Sequence, residues 1–93
     1  MSNKVAILIG SETDRGTMEA ANKYYEYFNI NYEIKVLSAH RTPREVHEFS
    51  SNAKSNGYKI IIGAAGMAAH LAGAIKANTS LPVIGVPLPG GVL

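Results

Sequence analysis

Five consecutive apolar residues, Val5-Ala6-Ile7-Leu8-Ile9, run into Gly10 near the start of the chain. A run this short, without a polar alternate, suits a strand buried on both faces, and burial on both faces marks a parallel sheet covered by helices. Parallel neighbours need long crossovers, so every later strand should be separated from the last by a helix.

The rest of the chain supplies that alternation. Over residues 14–28, Met18, Ala21, Tyr25 and Phe28 recur at helical spacing while Glu19, Lys23 and Glu26 fall on other faces, which predicts one amphipathic helix. Residues 29–31 break it. Residues 32–37 then read as a strand, with Glu33 and Lys35 alternating against apolar neighbours as on a strand near a sheet edge. Thr42-Pro43-Arg44-Glu45 supplies a capping residue, a proline at the first helical position and a glutamate placed to close a capping box. Val46, Phe49 and Ala53 give that second helix its apolar stripe, and Asn56-Gly57 a left-handed stop. Residues 58–62 predict a third strand, 63–66 a flexible turn, 67–77 a nearly all-apolar helix, and 81–86 a fourth strand.

Strand and helix in strict alternation predict one α/β domain over residues 1–93, a three-layer, flavodoxin-like parallel sheet of order 2-1-3-4 with right-handed crossovers. The first helix should cover one face and the other two the opposite face. Strands 3 and 4 then lack a helix on the first face, so the chain reads as cut short or as completed by partner subunits.

Composition narrows the classes of function. The 93 residues carry 46% hydrophobic side chains and a net charge of +2 with the basic residues scattered, too weak a field to predict a nucleic-acid partner. There is no cysteine, which excludes disulfides, thiolate metal sites and a thiol nucleophile. The start of the chain lacks the long apolar core of a signal peptide, and the apolar stretch 67–77 carries His70 and Lys76 and is too short to cross a bilayer. The expected setting is the cytoplasm, with no membrane partner.

In such a sheet, ligands bind outside the carboxyl ends of the strands where the strand order reverses, here between strands 1 and 3. Three loops open there: residues 10–14 (GSETD), 38–43 (SAHRTP) and 63–66 (GAAG). The first joins a buried strand to a helix start, where free N–H groups favour a phosphate and Ser11 and Thr13 add hydroxyls. Helix capping by Thr13 or Asp14 explains the same residues equally well. Asp14 would repel a phosphate and suits a sugar hydroxyl. Arg41 offers a bidentate contact to the same anion, and Ser38 a hydrogen bond. His40 is the one side chain of these loops whose ordinary pKa lies near neutrality, as general acid–base chemistry prefers, although a solvated loop ahead of a helix fits it too. His70 is either a structural histidine or a ligand contact near the crevice, and His47 a surface residue. Three histidines without close pairing predict no metal.

Together GSETD, SAHRTP, the stretch 66–71 (GMAAHL) and 81–87 (LPVIGVP) resemble, in order and separation, the class I phosphoribosylaminoimidazole carboxylases described as N5-carboxyaminoimidazole ribonucleotide mutases. The resemblance covers essentially the whole chain. It implies an isomerase of de novo purine biosynthesis that moves a carboxylate from the exocyclic nitrogen to ring carbon C4 of an aminoimidazole ribonucleotide, without cofactor or metal. It further implies substrate binding by Ser11, Asp14, Arg41, Ser38, His70 and Gly66, with His40 as the acid–base residue. The arginine of SAHRTP favours the mutase over the divergent class that uses free carbon dioxide. Members of the family are longer and form homo-octamers, so this chain matches about their first half. Two other expectations are a fragment that only binds phosphate or nucleotide, and a flavin carrier using the same loop.

Overall fold

The computed structural model describes residues 4–66 and 70–89. The apolar run forms β1 (Lys4–Ile9), followed by a 3-10 turn at Glu12–Asp14 and the short helices α1 (Arg15–Glu19) and α2 (Asn22–Tyr27). Then come β2 (Tyr32–Val36), α3 (Pro43–Asn52), β3 (Tyr58–Ala65), α4 (Leu71–Lys76) and β4 (Val83–Pro87). All strand pairs are parallel and the order is β2-β1-β3-β4, as the alternation predicts. The fold is flavodoxin-like α/β.

Register sorts the side chains onto two faces. Ala6, Leu8, Tyr58 and Ile61 point toward α3 and α4 and pack with Val46, Ala53, Leu71 and Ile75. Val5, Ile7, Ile9 and Ala64 point the other way and pack with Met18 of α1, with Tyr25 and Ile30 alongside. Leu8, Ile7, Ile9, Ile61 and Ile75 have no exposure to solvent, and burying each contributes roughly 1.5–3 kcal/mol. A strand hidden on both faces is the arrangement that the unbroken apolar run of β1 demands.

Three expectations are corrected. The helix predicted over 14–28 is interrupted: at Ala20 and Ala21 the backbone bonds tighten to the third residue back, Ala20 N–H to Thr17 O at 3.4 Å and Ala21 N–H to Met18 O at 3.2 Å. Neither alanine signals a break, so nothing in the local sequence marks it. The predicted flexible turn at 63–66 is strand as far as Ala65, because Gly63 lets α4 press onto β3: a β-carbon there would stand 2.9 Å from Ile75 Cδ1 and 3.1 Å from Ala72 Cα. The capping box is absent too. Thr42 is the N-cap residue of α3 with Pro43 behind it, yet its hydroxyl makes no cap bond and turns back to Ser38. Gly57 does adopt the left-handed conformation, at φ 94°, where the chain enters β3. The start of the predicted helix at 67–69 lies outside the described residues.

Candidate active site

The sheet brings the three loops together. Gly10 N–H bonds Ala64 O at 3.1 Å and Leu37 N–H bonds Ile9 O at 2.9 Å, so β1, β2 and β3 end side by side. Gly10 lies against Ala65, where an added β-carbon would meet the alanine methyl at 3.5 Å.

The first loop is organised by Ser11. Its hydroxyl accepts from Thr13 N–H at 3.3 Å and bonds the Thr13 hydroxyl at 2.9 Å, so Ser11, rather than Thr13 or Asp14, caps the turn. The Asp14 carboxylate makes no cap bond to α1 and remains half-buried beside the loop. Glu12, the second acid, is turned away: Arg15 donates to it through Nε at 2.6 Å and through Nη2 at 3.2 Å. The hydrogen bond from Arg15 holds the Glu12 carboxyl below the usual carboxylate range. A flanking anion is thereby paired, which lowers the repulsion an incoming phosphate would meet.

The second loop is a tight turn built on Ser38. Its hydroxyl oxygen accepts from Arg41 N–H at 3.0 Å and His40 N–H at 3.3 Å, and its carbonyl accepts from Thr42 N–H at 2.9 Å. Thr42 closes the turn from the other side, its hydroxyl accepting from Ser38 N–H at 2.9 Å and donating to Ser38 O at 3.1 Å. With two backbone donors on its oxygen, Ser38 keeps its own hydroxyl proton to donate elsewhere. Thr42 is a positioning residue that sequence reasoning treated only as a cap. The available signal was its spacing of one helical turn from Ser38.

Two long-range contacts complete the arrangement. Arg41 Nη2 donates to the Gly10 carbonyl at 3.3 Å, which carries a guanidinium from the second loop to the first. The rings of His40 and His70 lie 5.3 Å apart between centroids, inclined at 55°. His70 is the N-cap residue of α4, and both imidazoles are exposed at the carboxyl edge of the sheet. His47 lies elsewhere, its Nδ1 2.7 Å from Asn78 Oδ1, joining α3 to the end of α4. Gly66 directly follows β3 at the same edge as Gly10. All seven residues expected at the site, Ser11, Asp14, Ser38, His40, Arg41, Gly66 and His70, thus fall on the loops at that edge. Among the described residues, no group of three or more His, Cys, Asp or Glu side chains is placed to hold a metal, and no helix is long and apolar enough to cross a membrane.

This is a doubly wound α/β protein with hydroxyls, a guanidinium and two imidazoles converging where the strand order reverses, the usual position of a small-molecule site. A family model for AIR carboxylase matches residues 4–93, and the chain belongs to that family. It is 47% identical over 90 residues to an N5-carboxyaminoimidazole ribonucleotide mutase of Haemophilus influenzae, covering 97% of this chain and 55% of that protein. It is 48% identical over 90 residues to the protein of the same name from Pyrococcus abyssi, covering 97% and 52%. The structure of Treponema denticola PurE superposes with a TM-score of 0.85 at 30% identity, over 94% of this chain and 56% of the other. The chain therefore spans about half the length of the curated relatives it matches.

Proposed function

We infer that this chain carries the substrate-binding and proton-transfer half of an N5-carboxyaminoimidazole ribonucleotide mutase, a purine-pathway isomerase acting in the cytoplasm on a small ribonucleotide. The observation that carries this reading is the contact of Arg41 with Gly10, which puts a cation over the Ser11 loop next to His40. The 5′-phosphate is held by Arg41 and the hydroxyls of Ser11 and Thr13, and Asp14 accepts from a ribose hydroxyl. Ser38 donates its free proton to the ligand.

The chemistry needs one proton in each direction. Breaking the exocyclic N–CO2 bond releases carbon dioxide, and the nitrogen takes a proton from the His40 imidazolium. Forming the C4–CO2 bond then releases the C4 proton to the neutral His40, so the residue ends as it began. His70, its ring tilted against that of His40 and fixed at the start of α4, orients that ring. Carbon dioxide kept beside the ring reacts at high effective concentration, and Ala65 and Gly66 leave a small wall for it. The names of the two curated relatives support the reading. Incubation with N5-carboxyaminoimidazole ribonucleotide should yield the C4-carboxylated isomer without ATP or added metal, and the reverse conversion should reach the same ratio. Absence of conversion from both directions contradicts it.

A further inference from the structure

His40 and His70 sit on different elements, and their geometry depends on how those elements are joined. His40 lies in the turn that leads directly into α3, and His70 is the N-cap residue of α4. α4 has only 6 residues, too few to hold a helix in water without tertiary support. Val46, Ala53, Leu71 and Ile75 share the core beneath the two helices. Apolar burial is non-directional, so the angle between α3 and α4 needs a more specific contact.

A column of hydrogen bonds supplies one. His47, one turn into α3, donates from Nδ1 to Asn78 Oδ1 at 2.7 Å. Asn78 Nδ2 donates in turn to Ala74 O at 2.9 Å, and Ala74 N–H to His70 O at 3.0 Å. Residues 78, 74 and 70 are about one turn apart, so the column runs along one side of α4 and ends on the His70 backbone. The amide fixes its direction. Because the Asn78 nitrogen serves the Ala74 carbonyl, its oxygen faces His47, and the imidazole carries a proton on Nδ1. Lys76 Nζ also bonds Leu81 O at 3.1 Å, which ties α4 to the loop before β4 rather than to α3.

We propose that His47 and Asn78 are positioning residues: their bond clamps the helix that follows His40 to the helix that His70 begins, and thereby sets the 5.3 Å separation and 55° tilt of those two rings. The ring geometry stands on these contacts alone, and its effect on turnover rests on the mutase reading.

The test reads the His40 and His70 rings of the free protein by NMR, and turnover separately. His47→Phe keeps a ring at an exposed position without the donor. Asn78→Asp keeps an acceptor for His47 but removes the donor to Ala74. Both should lose the cross-relaxation between the two rings and exchange the Ala74 amide about 2–10-fold faster. With the C4-carboxylated isomer as product, both should lower kcat about 10-fold at unchanged KM. His47→Gln, whose amide can donate to Asn78, should restore the ring contact and kcat. Unchanged rings in both variants, no restoration by His47→Gln, or full kcat in His47→Phe beside an active wild type would each overturn the proposal. An inactive wild type contradicts the mutase reading instead, and the ring measurement then decides the proposal by itself.

Discussion

Arg41 and Gly10 meet although they belong to different strand-to-helix loops: the guanidinium donates to the glycine carbonyl at 3.3 Å. That single bond joins two separate polar loops, which on the proposed reading form one cradle for an anion. Removing the guanidinium should therefore cost affinity for the phosphate end of a ligand before anything else. Arg41→Ala is expected to raise the dissociation constant for an aminoimidazole ribonucleotide by about 10–100-fold, the size of a charge-assisted hydrogen bond, with the melting temperature unchanged. Isothermal titration of both proteins checks it, and equal affinity would exclude Arg41 from the cradle.

Thr42 should control the shape of the second loop. Thr42→Val keeps the volume but leaves Ser38 N–H without its acceptor, a loss of about 1–2 kcal/mol for a part-buried donor. Thermal unfolding should show that loss. Amide exchange at His40 and Arg41 should also quicken, since both lean on the Ser38 hydroxyl.

The opposite end of the sheet predicts a pH effect. The Tyr58 hydroxyl donates to Glu33 at 2.6 Å and the Lys4 ammonium lies 3.0 Å from the same carboxylate. The Tyr58 hydrogen bond first, and Lys4 second, hold the Glu33 carboxyl below the usual range. A carboxyl lowered by folding adds stability that is present above its unfolded pKa and is lost as pH falls through the lower folded value. Tyr58→Phe should thus flatten the acid loss of stability below about pH 4.3 and cost about 0.5–1 kcal/mol at neutrality, the low end because Glu33 is partly solvated. Urea midpoints measured from pH 3 to 7 decide it; an unaltered acid limb would contradict the assignment.

Two glycines should respond in opposite directions. Gly63→Ala places a methyl against Ile75 and the Ala72 backbone, and overpacking of this kind costs about 1–3 kcal/mol. It should also push α4 away from β3 and slow any reaction that uses His70. Gly16 lies in α1 with no atom within 4 Å of an added β-carbon, so Gly16→Ala should stabilise by about 0.5–1 kcal/mol. Melting temperatures of the two variants provide the comparison.

Much of this was legible in the sequence because it depends on periodicity. The apolar run of β1 and the alternation in β2 place one strand centrally and the other at an edge, and helical segments between strands force a parallel sheet. From order 2-1-3-4 follows the edge at which Ser11, Ser38, His40 and Arg41 must gather. What escaped depends on contacts between distant residues. Gly63 resembles a turn glycine until α4 is seen against it, and Thr42 resembles a cap until its hydroxyl is followed to Ser38. The interruption at Ala20 and Ala21 has no local residue to announce it.

Above all, the proposed function has His40 move the proton between nitrogen and C4. Its most direct test compares wild type and His40→Asn for interconversion of the two carboxylated isomers, with ribonucleotide affinity measured on the same samples. The expected result is turnover by the wild type and a loss of about 10²–10⁴-fold in the variant, with affinity retained. Turnover by His40→Asn at the wild-type rate, or none by either protein, would contradict it.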